Sequence, residues 1–175
     1  MKACFMGLGY IGLPTAIIAA KHGIEVTGVD INPSVVELTN QGKLHIVEPG
    51  LEVYLQEVVK TGNLKASLKP EVCEAYFMVV PTPFKGNHEP DISYVEAATR
   101  SVLPLLKAGD LYVIESTSPI GTTEKMRDLI YGERPELKDK IYIAYCPERV
   151  LPGNVIYELV HNDRVIGGID EEATN

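Results

Sequence analysis

Three glycines near the start of the chain have a spacing that suits the binding of a pyrophosphate. Gly7, Gly9 and Gly12 form the pattern G-x-G-x-x-G within the segment KACFMGLGYIGLPTAIIAAKHGIEVTGVD. The first glycine allows a tight turn between a strand and a helix. The second lets a phosphate approach the backbone, and the third lets helix and strand pack closely. The unpaired N–H groups and the positive dipole end of the following helix would then face the phosphates.

Asp30 lies at the end of the next predicted strand, where this motif places an acid. A carboxylate there accepts hydrogen bonds from the hydroxyls of an adenosine ribose and repels a 2′-phosphate. The glycine pattern alone is a weak signal, because such glycines also build ordinary sharp turns. Together with the apolar strand before it, the helical pattern after it and Asp30, it predicts a dinucleotide site and favours NAD over NADP.

Three further segments of unusual composition follow apolar strands, namely PTPF, STSPIG and CPERVLPG. Thr82 lies between two prolines, which predicts a hydroxyl or amide held rigidly near the cofactor, although a stiffened turn would give the same pattern. Thr122 and Thr123 lie at a predicted helix start, where N-capping explains them as well as ligand contact does. Glu148 and Arg149 form a charged pair at a strand end, which a surface ion pair would also explain.

The cysteines and histidines indicate neither a nucleophile nor a metal site. Cys146 has no neighbouring His or Lys to lower its pKa, so we expect a buried structural thiol. Cys4, Cys73 and Cys146 are widely spaced without a C-x-x-C pair, which predicts reduced thiols and a cytoplasmic setting. The four histidines have no spacing typical of metal ligands. We therefore expect no metal.

The elements that must position these residues alternate along the chain. The apolar run Ala75 to Val80 fits a strand buried on both faces of a parallel sheet, and Leu111 to Glu115 and Ile141 to Tyr145 fit further strands. Helical stripes separate these runs, one of them with Asp91 as its predicted N-cap, and Arg164 to Ile169 is predicted as the last strand. This alternation predicts an α/β fold with a doubly wound parallel sheet of Rossmann type. Ligands bind such sheets at the carboxyl ends of the strands, so the special loops should meet at one site.

Composition limits the classes of partner. With 175 residues and 45% hydrophobic content, the chain fits one globular domain with a substantial core. Its net charge of −8 argues against nucleic acid and anionic membranes as partners. No uninterrupted apolar run is long enough to predict a membrane span.

The motifs also occur together in one known family. The ordered set GLGYIGLP, GVDIN, EPGL, VPTPF, ESTSPIGTT and CPERVLPGN resembles the N-terminal half of the nucleotide-sugar 6-dehydrogenases, the UDP-glucose/GDP-mannose dehydrogenase family. The variants HIVEPGL, PTPFKGNHEPD and CPERVLPGNVIYELVHNDRVIGG are most similar to its UDP-N-acetyl-D-mannosamine dehydrogenase branch. The similarity covers essentially the whole chain, and the motifs are specific jointly rather than singly.

The resemblance implies a cytoplasmic enzyme of nucleotide-sugar metabolism and polysaccharide biosynthesis. Its reaction oxidises the C6 alcohol of a UDP-sugar to an aldehyde, then to a thioester on a cysteine, then to a carboxylate, using two NAD⁺. Thr117 and Glu148 would lie by the nicotinamide and help position the water that hydrolyses the thioester, and Glu148 would also touch the UDP-sugar. Arg149 and Val150 would contact the UDP-sugar. The implied NAD-binding residues are Gly7, Gly9, Tyr10, Ile11, Gly12, Asp30, Thr82 and Thr123, with Tyr10 and Ile11 acting through their backbone.

The sequence departs from the family pattern in two ways. Pro152 stands where the UDP-glucose enzymes carry a second glutamate, so that role does not transfer. The family's cysteine nucleophile lies well downstream, beyond a central helix that supplies a lysine and the homodimer contact, whereas this sequence ends at Asn175. We therefore expect residues 1–175 to form a single dinucleotide-binding domain that binds NAD without completing catalysis.

Two other functions stay open at this point. The first is a dehydrogenase for another UDP-hexose, a UDP-hexosamine or a simple β-hydroxy acid, although a β-hydroxy acid enzyme has no need of the CPERVLPG loop. The second is a regulatory module that senses NAD and performs no chemistry. The two classes differ in whether a UDP-sugar, in addition to NAD, affects the protein.

Overall fold

The computed structural model describes residues 1–175 and contains one large sheet with helices on both faces. The strands are Lys2–Met6 (β1), Glu25–Val29 (β2), Leu64–Ser67 (β3), Ala75–Met78 (β4), Phe84–Lys85 (β5), Glu89–Pro90 (β6), Leu111–Ile114 (β7), Tyr142–Tyr145 (β8) and Gly167–Gly168 (β9). The α-helices are Gly12–Lys21 (α1), Pro33–Asn40 (α2), Leu51–Lys60 (α3), Ser93–Val102 (α4), Thr122–Glu133 (α5), Val155–His161 (α6) and Glu171–Thr174 (α7).

The main sheet has seven strands in the order β3-β2-β1-β4-β7-β8-β9, and every neighbouring pair except β8–β9 is parallel. From β1 the chain moves outward to β3 on one side, and then crosses back to β4 to build the other side. This reversal between β1 and β4 leaves a crevice at the carboxyl ends of the strands. The predicted doubly wound α/β fold is confirmed, with one antiparallel strand added at its edge.

The sheet is buried on both faces. Within β1, Ala3 and Phe5 belong to an apolar cluster shared with α1 and α3, whereas Cys4 and Met6 belong to a second cluster shared with α4 and α5. Because successive side chains of a strand point to opposite faces, this division means that helices cover both sides of β1. The helices packed on both faces hold the ends of the strands in position, and therefore also the start of each loop that follows a strand.

The last predicted strand is wrong in extent and direction. Only Gly167–Gly168 of the predicted run Arg164 to Ile169 is a strand, and it pairs antiparallel with β8. Val165 and Ile166 are exposed, and the Arg164 side chain turns toward two acidic residues beside the crevice. These distant ion pairs outweigh the β-propensity of the Val-Ile pair.

Two local features of the loops also differ from expectation. The sequence gives no prediction of α6, which begins where the Glu48 carboxylate accepts hydrogen bonds from the N–H groups of Gly153 and Val155, each at 2.8 Å. Asp91 does not occupy the cap position itself: α4 begins after Ile92, and Asp91 Oδ1 accepts from the Ser93 N–H at 2.9 Å.

The proline-rich loop after β4 contains a short antiparallel hairpin, β5–β6.

None of the helices combines the length and the apolarity that crossing a bilayer requires.

Candidate functional site

The glycine-rich loop between β1 and α1 has the geometry that its sequence predicts. Gly7 has a φ of +106°, and a Cβ at this position would lie 2.3 Å from the Val79 carbonyl oxygen. A Cβ on Gly12 would lie 2.0 Å from the carbonyl oxygen of Gly7. A Cβ on Gly9 would meet no atom within 4 Å. Gly7 and Gly12 are therefore required by the fold, whereas Gly9 leaves open space in front of the loop.

The same loop presents free backbone donors at the start of α1. Leu13 N–H bonds to the Gly9 carbonyl at 3.1 Å, but the N–H groups of Tyr10 and Ile11 have no backbone acceptor. No side chain caps the helix. Unsatisfied N–H groups at a helix start, together with the helix dipole, favour an anion. The arrangement fits a pyrophosphate that contacts the backbone of Tyr10 and Ile11.

Asp30 lies at the end of β2 with its carboxylate turned toward the glycine-rich loop. Oδ2 accepts from the Leu8 N–H at 3.1 Å, and Oδ1 accepts from the Asn32 N–H at 2.9 Å. These two bonds fix the side chain in one orientation and leave each oxygen a second lone pair. The carboxylate can therefore accept hydroxyl groups of a ligand without moving.

The loops after β4 and β7 are tied to each other. The Thr82 hydroxyl donates to the Thr117 carbonyl oxygen at 2.6 Å, and the Ser116 hydroxyl lies 2.8 Å from the Val80 carbonyl oxygen. Thr82 thus uses its hydrogen on the neighbouring loop, and its oxygen remains able only to accept from a ligand. The predicted rigidity of Thr82 comes from this hydrogen bond as well as from the flanking prolines.

A charge cluster lies beside these loops, and it is not the pair that the sequence suggests. Glu148 pairs with the Arg164 guanidinium rather than with that of Arg149, and Arg149 only donates its backbone N–H to Glu148 Oε1 at 2.7 Å. Arg164 Nη1 also lies 2.8 Å from Oε1 of Glu115, a buried residue at the end of β7. We call Glu115, Arg164 and Glu148 the acidic triad.

Sequence reasoning missed two members of the acidic triad. A signal for Glu115 was present, since it lies between a buried strand and the STSPIG loop. Arg164 has no such signal, because it lies in a different part of the sequence from both acids that it joins.

Burial raises the pKa of Glu115 above its usual range, and the nearby Glu148 carboxylate acts in the same direction, while Arg164 opposes both. Glu115 Oε2 is buried and has no hydrogen-bond partner. Because an ionised carboxylate oxygen that is buried without a partner is costly, this environment favours the neutral, protonated form of Glu115.

Most of the predicted site residues line one cleft of about 820 Å³ at the carboxyl ends of the strands. The predicted residues on its wall are Gly7, Gly9, Tyr10, Ile11, Asp30, Thr82, Thr117 and Glu148. Gly12 lies buried beneath the loop, and Val150 is buried outside the cleft wall. Arg149 is exposed, and Thr123 lies in the first turn of α5, so their predicted ligand contacts rest on the resemblance alone.

Cys146 has the surroundings of a structural thiol. It is buried, and burial raises the pKa of its thiol, against the opposing effect of the Arg164 guanidinium 3.8 Å away. A raised pKa leaves little reactive thiolate at neutral pH. All three cysteines are free and buried.

The whole chain, residues 1–175, matches the model of the UDP-glucose/GDP-mannose dehydrogenase family, NAD binding domain. The chain belongs to this family. The family's NAD-binding domain is the dinucleotide domain predicted from the glycine-rich loop and Asp30, and NAD is its cofactor.

Several relatives in the UDP-glucose/GDP-mannose dehydrogenase family are close. The chain is 52% identical over 180 residues to the UDP-N-acetyl-D-mannosamine dehydrogenase of Campylobacter jejuni, covering 98% of this chain and 44% of the relative. It is 51% identical over 172 residues to the NDP-N-acetyl-D-galactosaminuronic acid dehydrogenase of Ralstonia nicotianae, covering 94% of this chain and 41% of the relative. The chain thus spans less than half the length of these relatives.

A solved structure agrees with the family assignment. The UDP-N-acetyl-mannosamine dehydrogenase of Staphylococcus aureus superposes with a TM-score of 0.93 at 42% identity, covering 99% of this chain and 43% of that chain.

Proposed function

We propose that residues 1–175 form one cofactor-binding domain that holds NAD in the cleft between Asp30 and Glu148. The observation that carries the proposal is the order of groups along the cleft. Asp30 suits the adenosine ribose, the free amides of Tyr10 and Ile11 suit the pyrophosphate, and the opposite end, beyond β4, is left for the nicotinamide.

The chain's own residues fit the cofactor. The open space in front of Gly9 accepts phosphates, and the fixed Asp30 carboxylate accepts ribose hydroxyls. When bound, NAD⁺ supplies a hydride acceptor. Thr82, Thr117 and Ser116 hold the two loops together on the nicotinamide side, and Glu148 lies within reach of a water or substrate there.

Binding of NAD⁺ and NADP⁺ to the 175-residue chain tests this assignment. We expect wild type to bind NAD⁺ more tightly than NADP⁺, because the Asp30 carboxylate would repel a 2′-phosphate. Asp30→Ala should weaken NAD⁺ binding and reduce the difference between the affinities for NAD⁺ and NADP⁺. Asp128→Ala, at an exposed aspartate on α5, is the matched control and should change neither affinity. An unchanged preference in Asp30→Ala would refute the ribose assignment.

We further propose that the parent activity is the four-electron oxidation of UDP-N-acetyl-D-mannosamine to the uronate with two NAD⁺. The names of relatives more than 50% identical support this substrate class. A second candidate substrate is the corresponding N-acetylgalactosamine nucleotide, since a relative that is 51% identical is named NDP-N-acetyl-D-galactosaminuronic acid dehydrogenase. We also propose that the parent enzyme forms the homodimer that the resemblance implies. Its reaction would take place in the cytoplasm, without nucleic acid or membrane partners.

An assay of the full-length polypeptide that carries this sequence separates the candidates. We expect two NADH per molecule of UDP-N-acetyl-D-mannosamine, and slower oxidation of UDP-N-acetylgalactosamine, UDP-N-acetylglucosamine and UDP-glucose. Faster oxidation of UDP-N-acetylgalactosamine would favour the second candidate. The 175-residue chain should bind NAD⁺ but form no NADH with any of these sugars. NADH from this chain would contradict its proposed role as a cofactor-binding domain only.

A further inference from the structure

Arg164 lies behind the wall of the cleft rather than on it. In the proposed function, on which this inference rests, the adenosine ribose lies after β2 and the pyrophosphate after β1. The nicotinamide then extends past β4 toward β7 and β8, which are the next strands in the sheet. Glu148 follows β8 and lines this end of the cleft, whereas Arg164 does not line it. Arg164 therefore reaches this part of the cleft through the side chains that it holds.

The Arg164 guanidinium connects Glu148 to the end of a neighbouring strand. Its Nη1 donates to Oε1 of Glu115 at 2.8 Å, and its Nη2 donates to Oε2 of Glu148. Glu115 directly follows β7 and its side chain is 1% exposed, so it is a fixed anchor for the guanidinium. Because the guanidinium is planar and its donors have a rigid spacing, fixing one Nη group restricts the other. Glu148 is thus oriented from β7, although it lies in the loop after β8.

A second contact joins the same two segments in the opposite direction. Arg149, which follows Glu148, donates from its Nη2 to the carbonyl oxygen of Asp163, the residue before Arg164, at 3.2 Å. The Arg149 N–H also donates to Oε1 of Glu148 at 2.7 Å. Each oxygen of the Glu148 carboxylate therefore has one partner from the chain and keeps one acceptor position. The carboxylate is held in place and can still accept a hydrogen bond.

We propose that Arg164 is a positioning residue for the reaction: anchored on Glu115, it holds the Glu148 carboxylate in one orientation at the nicotinamide end of the cleft. A carboxylate that is already oriented can place a water or a substrate hydroxyl without first losing its own conformational freedom. The contacts proposed for the ribose and the pyrophosphate do not involve Arg164. Loss of Arg164 should therefore slow the reaction while the affinity for NAD⁺ stays near that of wild type.

Steady-state kinetics of the full-length polypeptide with UDP-N-acetyl-D-mannosamine test the proposal, with isothermal titration for the Kd of NAD⁺. We expect Arg164→Gln to lower kcat about ten- to a hundredfold, as misplacement of a group at a reaction site does, and to change this Kd less than about twofold. Arg164→Lys keeps the charge but lacks the planar fork, so its kcat should lie between those of wild type and Arg164→Gln. Arg127→Gln, in a pair with Asp128 on α5, is the matched control and should change neither quantity.

A double-mutant cycle separates positioning of Glu148 from a general effect on the fold. In Glu148→Ala, Arg164 has no carboxylate to position at this end of the cleft. Adding Arg164→Gln to Glu148→Ala should therefore lower kcat by no more than about twofold, which is the usual error of additivity.

The Arg149 amide gives a second readout, which needs no catalysis. Its N–H is bonded to Glu148 Oε1, so its ¹H–¹⁵N signal in the 175-residue chain reports the orientation of the carboxylate. In Arg164→Gln this proton signal should move upfield as the hydrogen bond is lost. The amide signals of Gly153 and Val155, which are bonded to Glu48, should keep their positions and show that the rest of the loop is intact.

Equal losses of kcat from Arg164→Gln with and without the Glu148 carboxylate would overturn the inference, because Arg164 would then act through the fold alone. A wild-type kcat or an unchanged Arg149 amide signal in Arg164→Gln would also overturn it, and would leave the cofactor site intact. A wild-type kcat in Glu148→Ala would refute the role of Glu148, and this inference with it. Failure of wild type to bind NAD⁺ would instead refute the proposed cofactor site, on which the inference rests.

Discussion

Alanine at two glycines of the same loop should have opposite consequences, because the structure gives their absent Cβ atoms opposite surroundings. A Cβ on Gly12 would lie 2.0 Å from a backbone oxygen, which cannot move aside as the end of a side chain can. A Cβ on Gly9 would meet no atom within 4 Å. We expect Gly12→Ala to impair folding and Gly9→Ala to impair binding.

The size of each effect follows from this geometry. Overpacking a tight site typically costs about 1–3 kcal/mol, and each kcal/mol lowers the Tm of a domain of this size by about 2–4 °C. Gly12→Ala should therefore lower the Tm by about 2–12 °C. Gly9→Ala should leave the Tm near wild type, but its methyl group occupies the space proposed for the pyrophosphate. We expect its NAD⁺ affinity to fall at least tenfold, or ~1.4 kcal/mol.

Differential scanning calorimetry and isothermal titration of both variants measure these quantities. Gly132→Ala, at a helical glycine whose Cβ would also meet no atom within 4 Å, is the matched control. Wild-type stability of Gly12→Ala would refute the packing explanation. Wild-type NAD⁺ affinity of Gly9→Ala would refute the position of the phosphates.

Three further predictions concern the loops and the buried acid. Thr82→Val should lower the unfolding free energy by about 1 kcal/mol and weaken NAD⁺ binding, because it removes the hydrogen bond to the Thr117 carbonyl. If the unfolding free energy and the NAD⁺ affinity both equal those of wild type, this hydrogen bond does not hold the two loops together. Cys146→Ser should leave NAD⁺ affinity unaltered and, in the full-length polypeptide, preserve turnover; loss of turnover with folding and binding intact would identify a nucleophile. Because its pKa is raised by burial, Glu115 binds a proton more tightly in the folded than in the unfolded chain. The unfolding free energy of wild type, relative to that of Glu115→Gln, should therefore fall as the pH rises from the usual carboxyl pKa through the raised pKa of the folded state. If this difference in unfolding free energy rises instead, pairing with Arg164 outweighs burial.

The sequence predicts the part of the site that depends on local pattern. The glycine spacing, the alternating apolar runs and Asp30 lie within single structural units, so the sequence-based prediction of the β1–α1–β2 unit agrees with the structure. Thr82 and Thr117 could also be assigned to one site, because the carboxyl ends of parallel strands meet at one edge of the sheet.

The features that were missed depend on contacts between distant residues. Helix α6 begins at a buried carboxylate, Glu48, that lies 105 residues before Gly153. Arg164 bonds to Glu115 across 49 residues, and this pairing removes the predicted strand around it. No periodicity or spacing reports such pairs. The contact with Arg164 also explains why Glu148 does not form an ion pair with its sequence neighbour Arg149.

The proposed function requires that one cleft, from Asp30 to Glu148, binds NAD. The most direct measurement is a titration of the isotope-labelled 175-residue chain with NAD⁺, followed by ¹H–¹⁵N NMR. We expect saturable shifts of the amide signals of Gly9, Tyr10 and Ile11, of Asp30, and of the loops after β4 and β7. Shifts confined to the separate cavity beside Glu48 and Tyr157, or no shifts at all, would contradict it.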